Sequence, residues 1–545
     1  MNPLVNSPVK ALLINLGLVV LGMILFALSF PNALVEKGAA LAAWVAWIPV
    51  FLLVGRVSLP ASALWGVLYG YGAYSLFNYW LGAFHPMAGF IINSIYVVYL
   101  GLTFFFLKLA EILFPRRFYL VEWCLWLAYE YLRTLGFLGY PYGISGYSQW
   151  TFIPVIQIAS LGGVWAVSAL LLFPAAALGA ALRKVENFGA VPGALAAFFR
   201  RERLPACLWL LCLCLALGYG LVSRRDYGGA PHARLALVQH NTDPWRGDMD
   251  EFRQNFRVLS RLSDEALRSE PRPDVVVWSE TAFVPRIYWH KTYRDDPESW
   301  DLVRELLDYL AGQDTPFVIG NDDARLEGDG RGSWNRVDYN AVMLFQGAEI
   351  VNLYRKLHLV PFTEHFPYQR QFPGIYQALV DADTHFWEKG KEATVFSAPI
   401  PRSGGPGNLK FSTPICFEDT FGYLSREFVR NGAELIVNLS NDAWSHSLPA
   451  QNQHLGMAVF RAVENRRSMV RSTASGQTCA VDPSGRVIAL APPFAEAWIT
   501  ADVPILSGGT LYTAYGDYVG QFFVILSAAL LILGIVSRIL VKIKK

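Results

Sequence analysis

Phe411-Ser-Thr-Pro-Ile-Cys416-Phe417-Glu418-Asp419 reads as a strand that ends on a cysteine and opens into a helix. A thiol at such an elbow lies beside the free N–H groups of a helix N-terminus. These lower its pKa from about 8.5 and can hold an oxyanion. A strand-end cysteine can equally be inert packing, because a free Cys behaves as a small hydrophobe. The surrounding sequence decides between the two.

Outward from this elbow, strands alternate with helices, the signature of a layered α/β domain. Strand-like runs cover Arg234–Gln239, Asp274–Trp278, Pro316–Ile319, Tyr339–Phe345, Phe411–Cys416, Ala433–Asn438 and Ser468–Ala480. Helical patterns fit Asp248–Ser269, Trp300–Gly312, Tyr423–Asn431 and Gln451–Asn465, while Arg286–Ser299 and His365–Lys391 read as irregular.

Two further strand ends carry chemistry. Asp274–Trp278 runs into Ser279-Glu280-Thr281, and Tyr354-Arg-Lys356-Leu-His-Leu-Val-Pro-Phe-Thr-Glu364 places a lysine after an extended run. Taken alone, Glu280 fits a solvated strand end or a general base whose burial raises its pKa. Lys356 fits a snorkelling side chain or a fixed cation for a developing oxyanion. Together with Cys416 they supply what a cysteine nucleophile needs: a base, an oxyanion partner and an elbow.

The chain around this domain is of another kind. Of 545 residues, 53% are hydrophobic and only 17% charged, against about 25% charged in soluble proteins. Charge is scarce up to Ser223, reaches globular density from Arg224 to Val503, then falls again. A crossing helix needs about 20 apolar residues. Eight runs are candidates: Ala11–Ser29, Ala40–Val54, Ala61–Leu81, Ala88–Ile112, Tyr119–Leu135, Phe152–Leu182, Pro205–Val222 and Val519–Val541. The second is short, and the fifth carries Glu122, Glu130 and Arg133, either packed for structure or acting in lipid or proton handling. The first is expected to be an uncleaved anchor.

With eight spans, Lys10, Arg56, Arg116, Arg117, Arg183, Lys184, Arg200, Arg201, Arg203, Lys542, Lys544 and Lys545 share one side, and Lys37 dissents. The positive-inside rule makes that side the cytoplasm. Both termini are then cytoplasmic and the polar domain lies outside. The expected organisation is a transmembrane block over 1–225 with about seven spans, an extracytoplasmic catalytic domain over 226–508, and a last span with a basic tail over 509–545. No basic stripe with interleaved aromatics appears, which argues against nucleic acid. The six cysteines form no CxxC pair and no zinc spacing, and Cys479 reads as a buried strand residue rather than a disulfide partner of Cys416.

Trp278-Ser-Glu280, Lys356-Leu-His-Leu-Val-Pro-Phe-Thr-Glu364, Ile415-Cys416-Phe417-Glu418, Ser440-Asn-Asp-Ala-Trp444 and Arg471-Ser-Thr473 resemble the nitrilase (carbon–nitrogen hydrolase) superfamily. A preceding block of spans and a terminal span narrow the resemblance to its membrane-embedded branch, the bacterial apolipoprotein N-acyltransferases. The resemblance covers essentially the whole chain. It implies an all-α membrane bundle of about eight helices joined to a nitrilase-like α/β domain, a four-layer α-β-β-α sandwich.

By the same resemblance Glu280 is the general base, Lys356 the oxyanion stabiliser and Cys416 the nucleophile. Glu364 is a second active-site carboxylate, and Glu418 supports the site by orienting Lys356. Phe417 stands where a Tyr is common, leaving only its backbone N–H for the oxyanion; Thr363 stands where a Gly is common, and Ser445-His-Ser447 replaces a usual Phe-Gly. Trp245, Asn340 and Trp444 are expected on the substrate side. The implied reaction is ping-pong acyl transfer without metal or cofactor. Its donor is a membrane phospholipid, with phosphatidylethanolamine expected, and its acceptor a diacylated apolipoprotein. A monomer in the bacterial inner membrane is expected, and the alternative product of the same acyl-enzyme is hydrolysis by water, as in a membrane-tethered amidase. The aromatics of His365–Lys391 suit either a mobile arm gating lipid entry or a loop capping the core.

Overall fold

A computed structural model describes residues 8–543 apart from 85, 184, 186–187, 224–225, 243–246, 329–333, 382–384 and 403–404. The chain divides into two compact units, Met1–Arg224 with Tyr515–Lys545, and Arg225–Ala514.

The first unit is helical. Among the described residues five helices are long and apolar enough to cross a membrane: Pro8–Ser29, Gly89–Leu113, Ala159–Leu182, Arg203–Val222 and Tyr518–Ile543. Ala159–Leu182 is mostly buried, whereas Pro8–Ser29, Arg203–Val222 and Tyr518–Ile543 turn most of their apolar surface outward. Such faces suit lipid, where every backbone group must already be bonded within the helix. The other apolar runs also contain helices, but Ile48–Arg56 has 9 residues and Phe118–Leu132 has 15. Leu59–Phe77 has 19, diluted by Gly, Ser and Tyr. Its Gly66 and Gly70 face the helix Pro86–Leu113, where an added Cβ would lie 2.4 Å from the Leu100 carbonyl and 2.7 Å from that of Tyr96. Spacing small residues four apart lets two helices approach this closely.

The charges of the fifth apolar run are all bonded inside the protein. Glu122 receives a 2.6 Å hydrogen bond from Arg183, Glu130 accepts from the Ser145 N–H and hydroxyl, and Arg133 donates to the carbonyls of Tyr140 and Tyr142.

In the second unit the described strands are β1 His232–Gln239, β2 Val275–Val277, β3 Phe317–Gly328, β4 Trp334–Gln346, β5 Glu349–Arg355, β6 Val395–Arg402, β7 Gly405–Ser412, β8 Leu435–Ser440, β9 Ser468–Thr473, β10 Cys479–Val481, β11 Val487–Leu490 and β12 Ala497–Pro504. They form two six-stranded sheets, ordered β12-β1-β2-β3-β4-β5 and β11-β10-β9-β8-β7-β6. In each, three neighbouring strands run parallel (β1, β2, β3 and β7, β8, β9) and the rest pair antiparallel. The two sheets therefore share one topology, although no internal repeat is evident in the sequence.

Helices Met249–Leu267 and Pro297–Ala311 cover the first sheet, burying Phe256, Leu259, Leu262, Leu302, Leu306 and Leu310 against Val238, Val276, Phe317 and Met343. Helices Gly422–Arg430 and Leu448–Asn465 belong to the second. The sheets meet face to face, and Ser472 of β9 donates to the carbonyls of Val238 and Val277. The result is the four-layer α-β-β-α sandwich.

Several local expectations need correction. Ser468–Ala480 is two strands, because Gly476 N–H donates to Thr473 Oγ1 and Thr473 N–H to Thr478 Oγ1, closing a turn between β9 and β10. Arg286–Ser299 is not irregular but contains a helix, Ile287–Tyr293. Buried Asn321 of β3 accepts from Ile287 N–H and donates to the carbonyls of Phe283 and Pro285, a tertiary anchor that local pattern does not reveal. His365–Lys391 contains the helix Pro373–Asp381, none of whose residues is buried.

Trp278, fully buried at the end of β2, packs on Phe256 and Phe317 and donates to Ser263. Trp278→Ala is expected to destabilise this unit by about 3–5 kcal/mol, the usual range for emptying a buried aromatic site. Denaturant unfolding followed on the purified protein checks this, and a loss below about 1 kcal/mol would contradict it.

Candidate active site

The residues singled out at strand ends converge. Glu280 lies three residues past β2, Lys356 directly follows β5, and Cys416 lies four past β7. At or beside two of these positions the backbone departs from ordinary strand geometry. Cys416 has φ 50° and Thr281 φ 45°, left-handed conformations costly for a non-glycine residue and common where a side chain is being aimed. β7 ends at Ser412, an isolated bridge from Ile415 to Leu439 follows, and Cys416–Thr420 form a tight 3-10 turn. The elbow therefore differs from the strand-to-helix junction expected, with the helix delayed to Gly422–Arg430.

Lys356 is fully buried, so it does not snorkel, and Glu280 is buried too, so it is no solvated strand end. The Lys356 ammonium donates to Glu364 at 2.7 Å and to Glu280 at 3.4 Å. Glu280 also accepts from Asn340 Nδ2 at 2.9 Å on one oxygen and from the Asn441 N–H at 2.9 Å on the other. Glu364 takes a further bond from Val360 N–H at 2.8 Å.

Burial works against the Lys356 ammonium, but the carboxylates of Glu364 and Glu280 outweigh it and hold its pKa above the ordinary value. Burial raises Glu364, with Lys356 opposing it and Glu280 adding to the rise. Part of Cys416 still reaches the surface. Even so, burial first and the neighbouring Glu280 second push its thiol well above the usual range, against the pull of Lys356. The helix-terminus lowering expected at the elbow is thus overridden, because a five-residue turn replaces the helix and a carboxylate faces the sulfur. A resting thiol of this kind must lose its proton to a base as it reacts.

Glu418 accepts from the N–H groups of Leu357 (2.7 Å), His358 (2.9 Å) and Ile415 (2.7 Å) and from the Tyr354 hydroxyl at 2.8 Å. It thus ties the chain after Lys356 to the residue before Cys416; it grips backbone beside the lysine rather than the ammonium. Burial raises its pKa to about 7 despite these donors.

Phe417 is buried and packs edge-on against Phe421, with the His358 ring 5.9 Å away. Trp444 is half-buried on the turn Ala443–Ser445 that follows Asn441. Trp245 lies outside the described residues. Cys479 is buried in β10 and, like Cys416, is a free thiol. Asn441 acts through its backbone and Ser440 lies beside the Cys416 sulfur; only their place in the Ser440–Trp444 string could have marked them.

A layered α/β domain with a buried Glu-Lys-Glu cluster beside a cysteine elbow defines a nitrilase-type catalytic domain, and the family comparisons agree. The carbon-nitrogen hydrolase family matches residues 234–509, and the apolipoprotein N-acyltransferase N-terminal domain matches residues 22–177. The chain is 44% identical to apolipoprotein N-acyltransferase 1 of Treponema denticola over 539 residues, and 46% identical to that of Treponema pallidum over 537, each alignment covering 96% of both chains. The chain belongs to the apolipoprotein N-acyltransferase family and is an acyltransferase. Among solved structures, Saccharomyces cerevisiae Nit3 of the nitrilase superfamily is 18% identical over 50% of this chain and 90% of its own, with a TM-score of 0.35.

Gly320 of β3 passes so close to the Glu280 turn that a Cβ would lie 2.4 Å from the Ser279 carbonyl oxygen and 2.7 Å from Thr281 N. Gly320→Ala is expected to displace Glu280 and slow turnover about 100-fold, the cost of an ångström-scale misplacement. Steady-state kinetics on folded variant should show the loss in kcat more than in KM.

Proposed function

We propose that this enzyme moves a fatty acyl chain from a membrane phospholipid to the α-amine of a diacylglyceryl-cysteine at an apolipoprotein N-terminus, through a Cys416 thioester. The observation that carries the residue roles is the fully buried Lys356 ammonium bonded to both Glu280 and Glu364, with Cys416 close enough to feel Glu280 and Lys356. The acceptor and the lipid donor follow from the family and the apolar helices.

In the first half-reaction Glu280 takes the thiol proton and the sulfur attacks the ester carbonyl carbon. Lys356 and backbone N–H groups, that of Phe417 among them, hold the oxyanion. The ester C–O bond breaks, Glu280 returns the proton to the leaving oxygen, and lysophospholipid departs. In the second, the acceptor amine attacks the thioester, the C–S bond breaks, and the amine's proton passes by way of Glu280 to the sulfur. Glu364 keeps Lys356 charged and placed, Glu418 fixes the elbow relative to the lysine, and Asn340 orients Glu280. Trp444 is assigned to the substrate side, and the family resemblance assigns Trp245 a part in substrate engagement. No metal or cofactor takes part.

The distribution of basic residues supports a multi-pass protein of the bacterial cytoplasmic membrane with about eight spans, both termini inside and the catalytic unit outside. Within that unit the helix Pro373–Asp381 leaves Ile375 and Val380 exposed beside Phe372, while Phe366, Tyr376 and Phe386 stack in series. Exposed apolar side chains backed by an aromatic stack suit contact with the bilayer interface, and this segment serves as the arm that admits lipid. The protein works as a monomer, with phosphatidylethanolamine as donor.

Incubating the purified full chain with phosphatidylethanolamine should add one acyl mass at Cys416, read by intact and peptide mass spectrometry. Adding a diacylated lipopeptide should discharge it into a triacylated product. Cys416→Ser should abolish the adduct and Glu280→Ala should lower its rate at least about 100-fold. A normal rate in either variant would sink the scheme, and release of free fatty acid without transfer would favour the amidase alternative.

A further inference from the structure

Behind the elbow lies a group of charges that the acyl-transfer steps do not use. Asp419 of the Cys416–Thr420 turn, Asp442 just past β8, His454 of helix Leu448–Asn465 and Arg471 of β9 are all buried. His454 Nε2 lies 2.7 Å from Asp419 Oδ1, and its Nδ1 lies 3.0 Å from Asp442 Oδ1. Arg471 bridges the same two carboxylates, bonding Asp419 with one amino group and Asp442 with the other at 3.2 Å.

A neutral imidazole has one N–H, so one of its nitrogens would point a lone pair at a carboxylate oxygen. The guanidinium also lies 3.3 Å from Nδ1, but the carboxylate is nearer. A neutral ring would moreover leave two buried carboxylates facing one cation. With His454 as an imidazolium the quartet is balanced, two charges against two, as a buried group must be.

Ser440, at the end of β8, connects this quartet to the nucleophile. Its hydroxyl donates to Asp442 Oδ1 at 3.0 Å and lies beside the Cys416 sulfur. A hydroxyl has one proton. While that proton goes to Asp442, only a lone pair faces the thiol, which suits the resting S–H. Stabilising the thiolate requires the proton to turn to sulfur, and Asp442 can release it only because His454 still bonds the same oxygen.

We propose that His454, held as an imidazolium between Asp419 and Asp442, is a positioning residue for the nucleophile: it fixes the turn carrying Cys416 and frees the Ser440 hydroxyl to donate to the forming thiolate. The inference rests on Cys416 being the nucleophile. The charged and titratable groups facing the ring or its partners are Asp419, Asp442 and Arg471, with Cys416 and Cys479 beyond the guanidinium.

Burial disfavours the imidazolium, but Asp419 and then Asp442 overcome it and raise its pKa to about 9. A raised histidine pKa stabilises the fold fully below its unfolded value of about 6.5. That contribution is lost as pH rises through about 9.

The test uses the full chain in detergent with phosphatidylethanolamine, following acylation of Cys416 and its iodoacetamide labelling by peptide mass from about pH 6 to about pH 10. In folded His454→Gln the acylation rate constant should fall about 100-fold with the half-saturating phospholipid concentration little changed. Its iodoacetamide labelling rate at a fixed pH within this range should fall about 10-fold, as a thiol pKa raised by about one pH unit requires. Ser440→Ala leaves all four charges in place and should slow acylation about 10-fold, with labelling slowed in the same direction. It decides the matter if His454→Gln does not fold. Wild-type rate and labelling profile in either folded variant would overturn the proposal. Absence of any Cys416 adduct in the wild-type protein would instead overturn the reading of Cys416 as nucleophile.

Discussion

The constraint on which the catalytic unit turns is a lysine ammonium buried without access to water. Lys356 can stay charged there only if anionic groups surround it, and Glu280 and Glu364 do so from different segments. Two carboxylates brought around one cation would repel each other if either slipped, so each is pinned by donors of its own. Asn340 and the Asn441 backbone hold Glu280, and Val360 N–H holds Glu364. The Asn441 bond is also the point at which the second sheet reaches the first sheet's carboxylate. Fixing one charge therefore fixes the ends of β2, β5 and β8 relative to one another.

The same logic explains why so much polarity is buried beside Cys416 without making the site soft. Glu418 spends its oxygens on three backbone N–H groups and a phenol, converting a costly buried carboxylate into a clamp on two loops. Left-handed backbone at Thr281 and Cys416 is tolerable because neighbouring hydrogen bonds over-determine it.

Cys416 and Glu280 were legible in the sequence because each follows an apolar run whose composition is plain, and because polar residues at such ends are few; Lys356 was marked by the string that runs from it to Glu364. The long central strands and the four covering helices were legible for the same reason. The edges were not: β5, β6, β11 and β12 mix charged, small and apolar residues, and their pairing is decided by partners distant in sequence. The helix Ile287–Tyr293 depends on Asn321, and no local pattern announces a tertiary anchor. The Asn441 contribution is a backbone N–H, which any residue could supply, and Ser440 and His454 look ordinary until the fold sets them beside Cys416 and Asp442. In the membrane unit apolarity marked the segments, but glycine packing rather than hydropathy accounts for Leu59–Phe77.

The shared topology of the two sheets has a consequence for how labour is divided. β2 and β8 occupy matching central positions, and each is followed within three residues by an acidic side chain, Glu280 in one sheet and Asp442 in the other. The first is met by a lysine, an amide and an N–H. The second is locked between an imidazolium and a guanidinium, with its pKa lowered to about 2 as those cations and Ser440 prevail over burial. One architectural slot, used twice, thus yields a carboxylate set beside the cysteine and a twin clamped between an imidazole and a guanidinium.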